Sequence, residues 1–108
     1  MRKGAIVLVP FPFTDLSGHK VRPALVLFAS ARGEDCIVAF ISSRSAKKKS
    51  QYEVLVHMLS ENGLKVDSVV KVDKIATLQK RIVIGEIGSV EKSVQKETEG
   101  TLRRLFGL

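Results

Sequence analysis

Four groups of side chains in this sequence are of the types that handle phosphate groups and protons. They are a polar segment with Asp15, His19, Lys20 and Arg22; the triplet Ser42-Ser43-Arg44; the run Lys47-Lys48-Lys49; and the pair Lys71 and Asp73. A fixed guanidinium beside a hydroxyl stabilises negative charge as it builds on a phosphoryl oxygen, and a carboxylate with an ammonium can move protons at the reacting oxygens. Arg22 is the most constrained of the cations. Pro23 fixes its own φ and drives the residue before it toward extended backbone, so the guanidinium is carried on a stiff piece of chain.

Each group also has a simpler use. Arg22 could make a surface ion pair or tie down a turn, and Ser42 and Ser43 could satisfy local backbone at a strand end. Lys47 to Lys49 could be a solvated loop that keeps an edge from aggregating. Lys71 and Asp73, two apart on one strand, could form an exposed ion pair worth roughly 0–1 kcal/mol. His19 lies in a Gly-containing polar loop where it could titrate freely, whereas His57, beside Met58 at a strand end, reads as structural. Gly-rich phosphate loops, Walker motifs and a Gly-x-Ser-x-Gly elbow are absent.

The elements that must position these residues are short and mostly extended. Ala5 to Val9 and Ala24 to Phe28 are apolar, β-branched runs that read as buried strands, the second entered through Pro23. Ala31 to Asp35 is turn material, which makes Cys36 to Ile41 the partner of a hairpin. Ser42 to Ser50 is a Lys-rich loop. Tyr52 to Val56 alternates, Asn62-Gly63 marks a break, and Ser68 to Val72, Ile75 to Leu78 and Arg81 to Ile87 supply the last extended pieces. Beyond Gly88 the period changes to helical: Ser89 is placed to cap, Glu91 falls in the first turn, and Val90, Val94, Leu102 and Leu105 share a face, with Arg103 and Arg104 near the end. Gly100 inside this helix weakens it by about 1 kcal/mol relative to Ala. Six or seven short strands and one terminal helix describe a mainly β protein, a small barrel or strongly bent sheet with few unpaired edges.

At 108 residues the chain is expected to form a single domain, residues 1–108, with one core. Eighteen Lys and Arg against eleven Asp and Glu give a net charge of +7, which points to a polyanionic partner. The lone Cys36 sits in an apolar run and reads as a buried thiol. With one cysteine and two distant histidines nothing has zinc-site spacing, and no metal or other cofactor is implied. The basic N-terminus leads into a strand rather than a signal peptide, and no apolar run is long enough to span a membrane, so a cytoplasmic protein is expected.

The residues also resemble a known family. Pro10-Phe11-Pro12-Phe13-Thr14-Asp15-Leu16-Ser17-Gly18, then Lys20 and Arg22-Pro23-Ala24-Leu25-Val26-Leu27, then Ile41-Ser42-Ser43-Arg44, and finally Gly63-Leu64, Ser68 and Asp73-Lys74-Ile75 look like the PemK/MazF toxins of bacterial type II toxin-antitoxin systems. The resemblance runs through nearly the whole chain in order. It implies an SH3-like barrel of the CcdB/MazF type, usually homodimeric, that cuts single-stranded RNA at short motifs without a metal. The substrate's own 2′-hydroxyl would be the nucleophile, leaving a 2′,3′-cyclic phosphate and a 5′-hydroxyl. The family's catalytic arginine then falls on Arg22 and its strand-end threonine on Ser42, where serine keeps the hydroxyl but loses the stiff β-branch. An acid-base and positioning pair falls on Lys71 and Asp73. Asp15, His19, Lys20, Ser43, Arg44, Lys47 and Lys48 are the candidates for holding RNA. The implied partner is a cognate antitoxin whose acidic, disordered segment covers the RNA groove, which the positive charge suits. Two other functions fit the same fold: a non-enzymatic toxin that binds gyrase, and an RNA-binding relative without catalysis.

Overall fold

Continuous apolar runs form strands whose two faces are both buried, and this pattern organises the molecule. A computed structural model of the chain describes residues 1–11, 20–44 and 50–108. Within these, β1 (Ala5–Phe11), β2 (Lys20–Ala29), β3 (Asp35–Ser43), β4 (Glu53–Val56), β5 (Ser68–Gln79) and β6 (Gly85–Ser89) form one antiparallel sheet in the order β4-β5-β3-β2-β1-β6. The sheet curls into a half-barrel of SH3-like form, and a C-terminal helix, α1 (Lys92–Phe106), packs over β4 and β5. The mainly β barrel with one terminal helix expected from the sequence is the observed fold.

Alternate residues of β1, β2, β3 and β5 feed two apolar clusters. Ile6, Leu25, Ala39, Ile41, Val54, Val56, Val70 and Val72 meet Val94 of α1 in one, with Val90, Leu102 and Leu105 packed against it. Ala5, Val7, Val9, Ala24, Val26, Cys36, Val38 and Leu78 form the other, flanked by Phe40, Ala76 and Val83. Burying a side chain of the Val, Leu or Ile type contributes roughly 1.5–3 kcal/mol, so the two clusters together dominate the fold's stability. Cys36 belongs to the second cluster, and burial pushes its thiol up from the ordinary range.

Several boundaries differ from the sequence reading, each for a physical reason. β2 starts at Lys20, so Lys20 and Arg22 lie on a strand paired to β1 rather than in a loop. Ser68 to Gln79 is one strand instead of two, because β5 absorbs a bulge. Its pairing with β3 jumps from Lys71↔Phe40 to Ile75↔Ala39 and leaves Val72, Asp73 and Lys74 without partners on β3. Lys80 to Ile82 is a single 3-10 turn, and the last strand begins only at Gly85. Ser89 does not cap the helix: it ends β6, with its N–H bonded to the Glu61 carbonyl, and the next N–H, of Val90, is still tied to Gly4. The helix can start only after those sheet contacts end, and Glu91 takes the cap position. At the other end Gly107 adopts φ +69 and closes the helix with a left-handed cap. No helix among the described residues is long and apolar enough to cross a membrane.

Candidate active site

The site forms where two neighbouring strands part. β2 and β3 pair as far as Ala24↔Phe40, and beyond that point β2 continues on β1 while β3 continues on β5. Pro23 explains the break. Its partner Leu8 turns its carbonyl away from β2 to accept the Ile84 N–H, so Pro23 faces β3 with a nitrogen that has no hydrogen to donate. Two residues past the last pair, Arg22 and Ser42 fall by strand alternation on the face that carries Ala24 and Phe40, and both line the gap. Lys71, paired with Phe40 from the far side, shares that face.

The gap opens into two depressions. One, of about 540 Å³, is lined by Arg22, Phe40, Ile41, Ser42, Lys71, Asp73, Lys74, Ile75 and Ala76. The other, of about 440 Å³, is lined by Arg22, Ile41 and Ser42 together with Leu8, Val21, Pro23, Ser43, Gly63, Leu64, Lys65, Val66, Ser68 and Ile87. Arg22 and Ser42 therefore stand on the saddle between them. The combined lining holds Arg22, Lys65, Lys71 and Lys74 against a single carboxylate, Asp73, so the cleft concentrates part of the chain's positive charge.

The four residues expected to do chemistry, Arg22, Ser42, Lys71 and Asp73, all line the first depression. The structure corrects the simpler reading of the last two. The ion partner of Lys71 is Glu53 on β4, with Nζ 3.5 Å from Oε2, and Asp73 sits in the bulge, exposed. Of the residues expected to hold RNA, Ser43 lines the second depression. Lys20 and Arg44 are exposed strand-end residues that line neither, and the Arg44 N–H bonds the Asp67 carbonyl. Asp15, His19, Lys47 and Lys48 lie outside the described residues. His57, read as structural, is exposed and places Nδ1 3.4 Å from Asp67 Oδ2.

Sequence reasoning missed Lys74, Phe40, Ile75, Lys65 and Val66 as walls of the cleft. Lys74 stood next to a chosen residue, but only the bulge turns consecutive residues of a strand into one surface. Lys65 and Val66 are supplied by the segment between β4 and β5, and Asn62 organises that segment. Asn62 is 1% exposed, donates its amide to the His57 carbonyl at 2.8 Å, and accepts the N–H groups of Leu59 at 3.2 Å and Leu64 at 3.0 Å. Asp67 adds a second clamp by accepting the Met58 N–H at 2.7 Å. That bond, reinforced by His57, holds its carboxyl below the ordinary range. Among the described residues no group of three or more His, Cys, Asp or Glu is arranged to hold a metal ion.

Residues 2–106 match the profile of the PemK-like, MazF-like toxins of type II toxin-antitoxin systems. The chain belongs to this family. Solved structures agree in fold. MazF from Deinococcus radiodurans is 26% identical, with a TM-score of 0.78 over 100% of this chain and 97% of that one. In a MazE–MazF structure from the same organism the matching chain is 26% identical, with a TM-score of 0.79 over 100% and 97%. An endoribonuclease in complex with its cognate antitoxin, from a mycobacterial species, is 17% identical at a TM-score of 0.78 over 100% and 96%. Comparison with curated proteins gives no match. Within this PemK/MazF-family chain, the cleft is built from the segments that carried the resemblance: the Arg-Pro strand entry, Ser42-Ser43, Gly63-Leu64 and Asp73-Lys74-Ile75.

Proposed function

We propose that this toxin is an endoribonuclease that cuts single-stranded RNA at a short motif, with the scissile phosphate seated on Arg22 and Ser42. The observation that carries the reading is the convergence of Arg22, Ser42, Lys71 and Asp73 on one cationic cleft in a chain that belongs to a toxin family. Solved relatives named as endoribonucleases support it.

In the reaction the 2′-oxygen attacks phosphorus while the bond to the 5′-oxygen breaks, giving a 2′,3′-cyclic phosphate and a 5′-hydroxyl. Negative charge grows on the non-bridging oxygens along the way. The Arg22 guanidinium and the Ser42 hydroxyl, which line both depressions of the cleft, meet that charge and stabilise the transition state more than the ground state. One proton must leave the 2′-hydroxyl and one must reach the departing 5′-oxygen. Asp73 is a carboxylate base on the same wall and Lys71 an ammonium donor, and Glu53 keeps Lys71 oriented. No resident cofactor enters this scheme.

The same proposal includes a cognate antitoxin with an acidic, disordered segment, supported by relatives solved together with antitoxins and by the +7 charge of this chain. It also includes a cytoplasmic setting and a homodimer, for which the exposed Phe28, Ile84, Phe106 and Leu108 offer apolar surface.

The test is incubation of the folded, antitoxin-free protein with a long RNA in EDTA, with cut sites mapped and ends assayed, and Arg22→Ala run in parallel. The expected result is cleavage at one recurring motif with cyclic-phosphate ends, and a rate lower by about 10² to 10³ in the variant. No cleavage by the wild type would overturn the ribonuclease reading in favour of gyrase binding or RNA binding alone. A variant as fast as wild type would remove Arg22 from the chemistry.

A further inference from the structure

Apart from Arg22 and Ser42, which it shares with the first along with Ile41, the second depression has no part in the proton and charge chemistry just described. A phosphate held on that saddle has a nucleoside on each side. An RNA strand crossing it must send one neighbour toward the Lys71 and Lys74 wall and the other toward the segment of Gly63 to Val66. We infer that this second depression is a nucleobase subsite for a nucleotide adjoining the scissile phosphate, with Lys65 as its specificity-determining residue. The inference rests on the ribonuclease reading and deepens it.

Three observations support the occupant. The size is right, since about 440 Å³ accommodates a nucleoside and Arg22 anchors its phosphate at the rim. The chemistry is that of a base pocket rather than of a second phosphate site. Leu8, Pro23, Leu64 and Val66 present apolar walls to a ring face, while polar reach comes from Lys65 and the Ser43 hydroxyl. Ser68 is not free to donate to a base in the present arrangement, because its hydroxyl donates to the Val66 carbonyl at 3.0 Å. That bond instead helps fix the wall. Val66 itself is 52% exposed at the edge of the cleft, which leaves its apolar side chain open to the face of a base.

The pocket is also preformed. Gly63 adopts φ +72, and a Cβ there would lie 2.3 Å from the Ile87 carbonyl oxygen, so this turn is pressed directly onto β6. Asn62 and Asp67 hold the two sides of the same segment. A wall held in this way discriminates between bases without first having to be ordered, which lowers the entropic cost of binding. Lys65 is an ammonium on a flexible stem and can donate only. It therefore favours a base that offers acceptors on the edge facing it, and disfavours one that presents an amino group there.

The decisive experiment profiles cut sites in a random-sequence RNA library by sequencing the new ends, for wild type, Lys65→Ala and Val66→Ser. Both residues are exposed, so the variants are expected to fold, and melting curves verify this. The expected result for Lys65→Ala is loss of base preference at one position adjoining the cut, with preference across the cut retained. Cleavage of the wild-type motif falls by up to about 5- to 150-fold, the range for losing a hydrogen-bonded base contact. Val66→Ser should slow cleavage at the same position with less change in preference. If the wild type cuts and both variants keep its motif and rate, the subsite assignment is overturned while the ribonuclease reading stands. If the wild type does not cut, both fall together.

Discussion

Replacing Asn62 with alanine probes the link between the buried frame and the cleft. The side chain makes three hydrogen bonds, so the variant strands two backbone N–H groups, of Leu59 and Leu64, and the His57 carbonyl. The Leu64 bond is fully buried and the other two are partly so. Counting one full desolvation penalty and two ordinary net bonds gives a loss of about 2–6 kcal/mol. For a chain of this size that corresponds to a fall in Tm of about 9–26 °C. The assay is thermal unfolding by circular dichroism, with hydrogen exchange read at the Leu64 amide. That amide should lose protection more than amides of β2 or β3, because the loss begins in the Gly63 to Val66 segment. A Tm within about 3 °C of wild type for Asn62→Ala would refute the claim that this residue organises the segment.

Two further outcomes are expected. Ser42→Ala should lower single-turnover cleavage by about 10²-fold with little change in Tm, and Ser42→Thr should retain most activity; an alanine variant that cuts at the wild-type rate would show that the hydroxyl does not meet the phosphate. Asp67 has a carboxyl held below its ordinary value of 3.8, so its stabilising contribution is complete above that pH and is lost as the pH falls through the lowered folded-state value. Acid titration of Tm should therefore be shallower in Asp67→Asn than in wild type below about pH 3.8, and parallel curves would contradict this.

Much of the molecule was legible because it depends on local rules. Apolar β-branched runs broken by Gly, Asn and Asp turns predict short strands, and the spacing of Val94, Leu102 and Leu105 predicts the helix face that meets the core. Errors appeared where long-range pairing overrode local preference. Ser89 is a good cap by residue type, but the bonds of Ser89 and Val90 to Glu61 and Gly4 hold that stretch in the sheet. Lys71 and Asp73 read as an ion pair, but a bulge follows Lys71 and Glu53, distant in sequence, takes its ammonium, while both residues still line one depression.

The sequence by itself determined the ingredients: a cationic, mainly β chain of this toxin family, an arginine stiffened by the following proline, and a hydroxyl at a strand end. Only the tertiary structure decided that these become a cleft. Arg22 and Ser42 come to line one gap because β2 and β3 pair only as far as Ala24↔Phe40, and the gap stays open because Pro23 has no N–H with which to extend that ladder. Lys65 and Val66 join them because Asn62 and the close approach of Gly63 to Ile87 fold a connecting segment against the gap. Such pairings join residues far apart in the chain, and their geometry is set by which strands meet rather than by any one segment's composition.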